Sequence, residues 1–216
     1  MLTGNLTITD SKLFSDEAGR AFAELVDKNA NKISTLVKGR VINIVRASLY
    51  DSTTIKSLVN GTLRDDFGLT SSMSTAAATQ ILSYISTNIE VEIKKSGKYS
   101  KVILHIIGDK DIANIANLSS GSFESKGGSV PWLYWLLTRG TEVVIGDFWL
   151  FAGAIGRTRS GGNKIMKKIE STGRDPFRVD PSHAGTIDDN FITRAIESVS
   201  KDILDAVAES TIGALS

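Results

Sequence analysis

The sequence predicts an α+β fold: an antiparallel β-sheet flanked by a long N-terminal helix and a C-terminal amphipathic helix, with extended loops. Three observations predict it. Apolar residues recur at helical spacing from Phe22 to Leu49, and again from Phe191 to Val207. Between these stretches, "NIEVEIKK" alternates Ile89, Val91 and Ile93 with Glu90, Glu92 and Lys94, the period of a half-buried strand. After an "SGK" turn, "YSKVILHIIGD" brings the chain back as the second strand of an antiparallel hairpin. The return strand is apolar on both faces, which places it centrally in its sheet.

The N-terminal helix opens with Ser15 as N-cap and Asp16 and Glu17 in the first turn, where carboxylates favour the positive end of the helix dipole. Its apolar stripe is Phe22, Leu25, Val26, Ile33, Leu36, Val37, Val41, Ile44, Val45 and Leu49. Uninterrupted, it would span about 50 Å at 1.5 Å per residue. Gly39 and the polar "DKNANK" mark places where it kinks or divides. The stripe fits packing on the chain's own sheet or docking on a neighbouring subunit.

Residues 51–74 read as a turn-rich connector broken at Gly61 and Gly68. A helix follows, capped by Ser74 or Thr75, with Ala77, Ile81, Leu82 and Ile85 on one side. Beyond the hairpin, 109–130 reads as a short helix and then a Gly/Ser loop. "PWLYWLLTRG" is a helix from Pro131, suited to a first turn, to Gly140, a natural C-cap. It is expected to lie against the sheet with Trp132 or Trp135 buried. "TEVVIGDFWLFAG" reads as a strand with a bulge or turn at Gly146-Asp147, and Pro176 and Pro181 hold the next loop open. In the last helix Asp188 and Asp189 sit near the N-terminus, above a stripe of Phe191, Ala195, Ile196, Val199, Ile203 and Val207. No repeat or clear boundary divides the chain. The expectation is a single α+β domain over 1–216, with an N-terminal arm and a flexible basic loop at about 156–168.

With 216 residues, 41% hydrophobic and 23% charged, the composition is that of a globular chain able to bury a sizeable core. No cysteine is present, so disulfide and thiolate chemistry are excluded, in keeping with a reducing compartment. The start "MLTGNLTITDSKLF" lacks the basic-then-apolar pattern of a signal peptide, and no apolar run approaches the roughly 20 residues that span a bilayer. A soluble intracellular product without a membrane partner is expected.

The residues that could carry chemistry are few. "GAIGRTRSGGNKIMKKIE" follows a strand-like run and approaches a phosphate-binding loop, with Gly156 and Gly161 correctly separated. Gly162 stands where the lysine belongs, Asn163 takes the hydroxyl position, and Lys164 arrives two places late. The lysine must reach the β/γ-phosphates and the hydroxyl must bind magnesium, so the motif fails. "KIMKKIE" alternates like a strand as readily as it turns like a helix. His105, inside an apolar strand, reads as a hydrogen-bonded core histidine. His183 lies near Asp180, Asp188 and Asp189 without the second-histidine spacing of a zinc site. "DKD" at 109–111 lacks the other ligands of a calcium loop. No enzymatic activity, metal or cofactor is expected. The local anomaly is basic: Arg157, Arg159, Lys164, Lys167, Lys168, Arg174 and Arg178 against Glu170 and Asp175. These are candidate assembly or DNA-contact residues. Trp132, Trp135 and Trp149 are candidate aromatic anchors, in the core or at an interface hot spot.

Four strings in order, "SLVNGTLRDDFGL" (57–69), "VPWLYWLLTRGTEVVI" (130–145), "GRTRSGGNKIM" (156–166) and "FRVDPSHAGTIDDNFITRAI" (177–196), give the chain a family likeness. It resembles virion proteins of tailed bacteriophages, in the neck or tail-completion group related to the head–tail joining component of lambda-like phages. The resemblance covers roughly 15–205 and is strongest in the last string. It implies a structural subunit of a head–tail connector ring joining the DNA-filled head to the tail, made in the host bacterial cytoplasm and located in the virion neck. The implied partners are other copies in a cyclic ring, neighbouring connector, tail terminator or tail proteins, and duplex DNA passing through the lumen. The basic loop then reads as an arm ordered on docking. The alternative from the basic 156–178 segment is a DNA-binding module outside any ring.

Overall fold

The N-terminal periodicity becomes two helices, α1 (Asp16–Lys28) and α2 (Ala30–Asp51), in a computed structural model that describes residues 4–7, 16–96, 99–125, 128–140, 148–152, 164–168 and 179–216. The break is at Asn29, within the polar "DKNANK"; Gly39 stays helical. Ser15, the expected cap, lies outside the described residues. Buried residues run through Ala23, Val26, Ile33, Val37, Val41, Val45 and Leu49, an i+4 row from Ile33 onward. Phe22, Leu25 and Leu36, expected in the stripe, are each 42% exposed because they fall beside this narrow row.

The strands are β1 (Gly4–Thr7), β2 (Glu90–Ser96) and β3 (Tyr99–His105), all antiparallel in the order β1-β3-β2. The return strand β3 is central, as its apolar character predicts. Register pairs Val91 with Leu104 and Ile93 with Val102. His105 sits at the end of β3 and is exposed, not the core histidine expected: Val102, Leu104 and Ile106 take the buried positions around it.

The supposed connector is helical. Ser52 Oγ accepts from Ile55 N (3.2 Å) to cap α3 (Thr53–Asn60), and α4 (Thr62–Asp66) follows at once. Gly61 and Gly68 do end segments, but the segments are short helices that bury Ile55, Leu58, Leu63 and Phe67. Gly68 has φ +66°, and the N–H groups of Gly68 and Leu69 return to the carbonyls of Asp65 and Arg64. That left-handed terminator favours glycine. Helix α5 (Ser71–Asn88) begins earlier than expected. Thr70 Oγ1 accepts from Met73 N at 3.2 Å, so Thr70 is the cap, and Ser74 is buried inside the helix. Ala77, Ile81, Leu82 and Ile85 are buried as predicted.

After α6 (Asp109–Ala116) the expected Gly/Ser loop contains a small hairpin, β4 (Phe123–Ser125) with β5 (Gly128–Val130). Helix α7 (Trp132–Thr138) follows Pro131 and gives way to Gly140 at φ +58°, as read from the sequence. It packs against α6. Strands β6 (Phe148–Ala152) and β7 (Lys164–Lys168) form a separate antiparallel ladder. The basic loop expected over 156–168 is therefore strand in its last five residues; Gly146-Asp147 and 153–163 lie outside the described residues. The C-terminal helix divides at Val199 into α8 (Phe191–Ser198) and α9 (Ser200–Leu215). The chain is an α+β protein with a long N-terminal helical stretch and a C-terminal one.

By contacts the chain forms two units: 1–48 with 85–108 and 196–216, and 49–84 with 109–195. In the first, α1 packs on β2 and β3 and meets α9. Ser100 Oγ reaches Ala23 O (3.3 Å), and Ser34 Oγ on α2 reaches Val91 O (3.1 Å). Helix α2 runs antiparallel to the C-terminal helices: Lys32 Nζ donates to Ala214 O (2.9 Å), Arg40 pairs with Glu209 (2.8 Å), and the Ser48 and Ser198 hydroxyls meet at 3.3 Å. In the second unit Trp132 is the centre. It is fully buried, its ring lies 5.5 Å from that of Phe67, and its Nε1 donates to Ser120 O at 3.1 Å. Gln80 Oε1 accepts from Ser120 Oγ (2.8 Å), which ties α5 to the same turn.

Two stability predictions result. Trp132→Ala removes a buried aromatic and its bonded N–H, and should lower unfolding free energy by about 3–5 kcal/mol in denaturant titration. Trp132→Phe, which keeps most of the apolar surface, should lose substantially less. Ser210 on α9 is buried and its hydroxyl has no partner among the described residues. Ser210→Ala relieves that penalty and should raise stability by about 1 kcal/mol, with an unchanged m-value.

Candidate functional site

Residues 179–190 fold into a corner ahead of α8. Asp180 opens it: Oδ1 accepts from Ser182 N (2.8 Å) and Ser182 Oγ (2.6 Å), and the backbone carbonyl accepts from His183 N and Ala184 N (both 2.9 Å). Such a side-chain turn is what Asp before a Pro-Ser pair favours. His183 Nδ1 lies 3.1 Å from Thr54 Oγ1, which fastens the turn to α3. Thr186 N donates to Asp189 O (2.7 Å), and Asp189 N to Thr186 Oγ1 (3.1 Å).

Asn190 holds the corner. It is fully buried and is the N-cap of α8. Its Oδ1 accepts from Ile192 N (3.0 Å) and Thr193 N (3.3 Å), while Nδ2 donates to Thr186 O (2.9 Å) and Ile187 O (3.1 Å). Thr193 answers, its Oγ1 accepting from Asn190 N and donating to Asn190 O (both 2.9 Å). A buried amide with two donors and two acceptors is fully satisfied here. Gly185 passes directly over this residue. A Cβ at position 185 would lie 2.5 Å from Asn190 Cβ and 2.8 Å from its Cα, so only glycine fits. The Gly185 carbonyl in turn accepts from Gly140 N (2.7 Å), joining the end of α7 to the corner.

Outside the buried amide, Arg194 forks onto Asp189 (Nε–Oδ1 2.5 Å, Nη2–Oδ2 2.9 Å). Arg194 holds the Asp189 carboxyl below the ordinary aspartate range, and is itself raised by that partner. Ser182, through hydroxyl and backbone, holds Asp180 below it too, with a smaller contribution from His183. Asp188 is exposed. The expected preference for acids before the last helix is present, but Asn190 does the capping and Asp189 serves as a clamp. The "N-x-x-T" at 190–193 was the available signal: a cap residue three places before a hydroxyl that can reach back.

The remaining candidates are scattered. Lys164, Lys167 and Lys168 lie in β7, at ladder positions opposite Ala152, Trp149 and Phe148. The ladder thus brings Trp149 and Lys167 together as cross-strand partners. Arg157, Arg159, Arg174 and Arg178 lie outside the described residues. Trp132 and Trp135 are both buried, the latter 8% exposed, so they are core anchors and not a free surface. Among the described residues no group of three or more His, Asp or Glu could hold a metal ion, and no helix is long and apolar enough to cross a membrane. The chain matches no protein-family model, no curated protein and no solved structure.

The corner generates two expectations. Asn190→Asp keeps the two acceptor roles but turns a carboxylate oxygen toward two carbonyls. Stability should fall by about 1–3 kcal/mol for each donor lost. The loss should shrink as pH drops and the new carboxyl protonates, which thermal melts across an acid series would reveal. For Asp189, a folded pKa below the unfolded one means stabilisation present above the unfolded value and lost as pH falls through the folded one. Asp189→Asn should therefore cost a little at neutral pH and nothing at strongly acid pH, with a gap that narrows in high salt because the pair is exposed.

Proposed function

We propose that this protein is a structural virion subunit, one of the copies forming the head–tail connector ring in the neck of a tailed bacteriophage. The observation that carries the reading is the use made of residues 179–196. The polar side chains of the most family-like string are spent on shaping the chain: Asp180 on Ser182, Asn190 on four backbone groups, Asp189 on Arg194. A segment with that chemistry positions helices and surfaces. An assembly subunit needs this, because a closed ring repeats one heterologous contact and the two faces must keep a fixed angle.

On this reading the protein acts by geometry. Each copy offers two complementary faces to its neighbours, and the ring it helps close mates with connector and tail components while DNA passes through the lumen. Lys164, Lys167 and Lys168, with the arginines that flank them in the sequence, supply cations for an acidic neighbour or for phosphates.

The test is localisation in the particle. Virions from a host infected with a phage encoding the chain with an epitope tag should contain the protein in a small fixed copy number, with label at the junction of head and tail. Its absence from purified particles, or label elsewhere, would contradict the reading. Duplex binding by the purified chain that weakens steeply with salt, without particle association, would favour the DNA-binding module instead.

A further inference from the structure

Of the chain's asparagines only Asn60 precedes a glycine; the others precede Ala, Lys, Leu, Ile or Phe. Asparagine is among the thermolabile residues, because the next backbone nitrogen can attack its side-chain amide. Glycine in that next position hinders the attack least, having no side chain and the widest backbone freedom. Asn60 is the last residue of α3. It is exposed, and its side chain makes no hydrogen bond among the described residues, so the amide that would react is open to water.

The fold both requires this glycine and restrains its nitrogen. A Cβ on Gly61 would lie 2.8 Å from Ser57 Cα and 3.0 Å from Ser57 Oγ, so no other residue fits. The Gly61 N–H donates to Ser57 O at 2.9 Å, the bond that ends α3. A peptide nitrogen becomes nucleophilic only after losing its proton, and this proton faces a carbonyl instead of a solvent base. Attack also requires Asn60 to leave the helical conformation, which directs the Gly61 N–H back along the helix while the Asn60 side chain projects outward. The joint beyond is equally tight. Gly61 alone separates α3 from α4, and as N-cap it has no side chain to offer. Ser57 Oγ supplies the missing cap from α3, accepting from Leu63 N at 3.1 Å, with Thr62 Oγ1 3.5 Å away. Leu58 and Leu63, on either side of the joint, are buried.

We propose that Asn60 is a site of spontaneous deamidation, closed in the folded chain and opened when the α3–α4 joint frays. In the open joint hydroxide takes the Gly61 amide proton, and the nitrogen forms a bond to Asn60 Cγ. The Cγ–Nδ2 bond breaks, the nitrogen takes a proton from water and leaves as ammonia, and a succinimide ring remains. Water then hydrolyses one or the other imide bond, giving aspartate or isoaspartate at position 60 with no change of oxidation state. Either product places a carboxylate at the C-terminal end of α3, where the helix dipole disfavours it. Isoaspartate also adds a methylene to the main chain of a joint one residue long, so Leu63 N and Ser57 Oγ lose their alignment. The modification therefore holds open the joint whose opening allowed it, whatever assembly the chain belongs to.

The test incubates the whole chain at mildly alkaline pH, folded or in urea, and follows aspartate and isoaspartate at position 60 by peptide mapping. The parent should convert at least about tenfold faster in urea than folded, since attack in the folded chain waits on local opening. Ser57→Ala removes the Leu63 clasp; it should raise the folded rate severalfold and leave the urea rate unchanged. Asn60→Gln should stay unmodified at this position over the same period. Chain isolated after conversion should melt at a lower temperature than the parent. Equal rates in urea and in the folded parent would overturn the proposal, because the joint would then give no protection. So would an absence of conversion in urea, a converted chain that melts like the parent, or a folded Ser57→Ala chain that converts at the parent's rate. The parent's own ratio needs no variant, so a Ser57→Ala chain that fails to fold leaves the parent to decide.

Discussion

One buried amide organises the second unit. Asn190 spends both donors and both acceptors on backbone groups, two on the chain arriving from the loop and two on the first turn of α8. In a dry site an unpaired amide costs more than the same amide gains when paired, so the arrangement is close to all-or-none. Gly185 must then be glycine because the chain crosses over Asn190 without room for a side chain. Its carbonyl receives Gly140, which fixes where α7 ends, and α7 carries the buried Trp132. Local hydrogen-bond chemistry, loop path and aromatic core are consecutive links from a single residue.

The first unit is held differently. Its helices pack through the row Ile33, Val37, Val41 and Val45, and polar contacts appear at the edges, where Lys32 and Arg40 reach the C-terminal helix. Each buried aliphatic side chain contributes about 1.5–3 kcal/mol, whereas an exposed ion pair such as Arg40–Glu209 contributes about 1 kcal/mol or less. The row therefore sets the packing and the pairs trim its register.

Much of this architecture was legible in the residues. Alternation in "NIEVEIKK" and the doubly apolar "VILHII" identified the hairpin and placed β3 in the centre, because burial on two faces demands apolar residues at every position. Pro131 and Gly140 bounded α7 correctly because both act through their own backbone restrictions. Residues 51–74 are less legible for the opposite reason: Gly61 and Gly68 signal the ends of segments, and they do so equally for loops and for one- or two-turn helices. Phe22, Leu25 and Leu36 were assigned to a stripe whose true width only packing decides. At the candidate site, the acids at 188–189 drew the eye to charge, while the controlling residue was the neutral Asn190. Its importance depends on Gly185 folding back over it, a tertiary approach that spacing alone does not encode.

The central claim is that residues 180–194 form a fixed structural corner built around Asn190, and amide hydrogen exchange addresses it most directly. In an ordinary surface loop the amides of Ala184 and Thr186, and that of Gly140 donating into the loop, would exchange at rates near those of an unfolded peptide. If the corner is built around Asn190, they should exchange as slowly as interior amides of α8 and open only with that helix. Rapid exchange at these three positions beside a protected α8 would contradict the account.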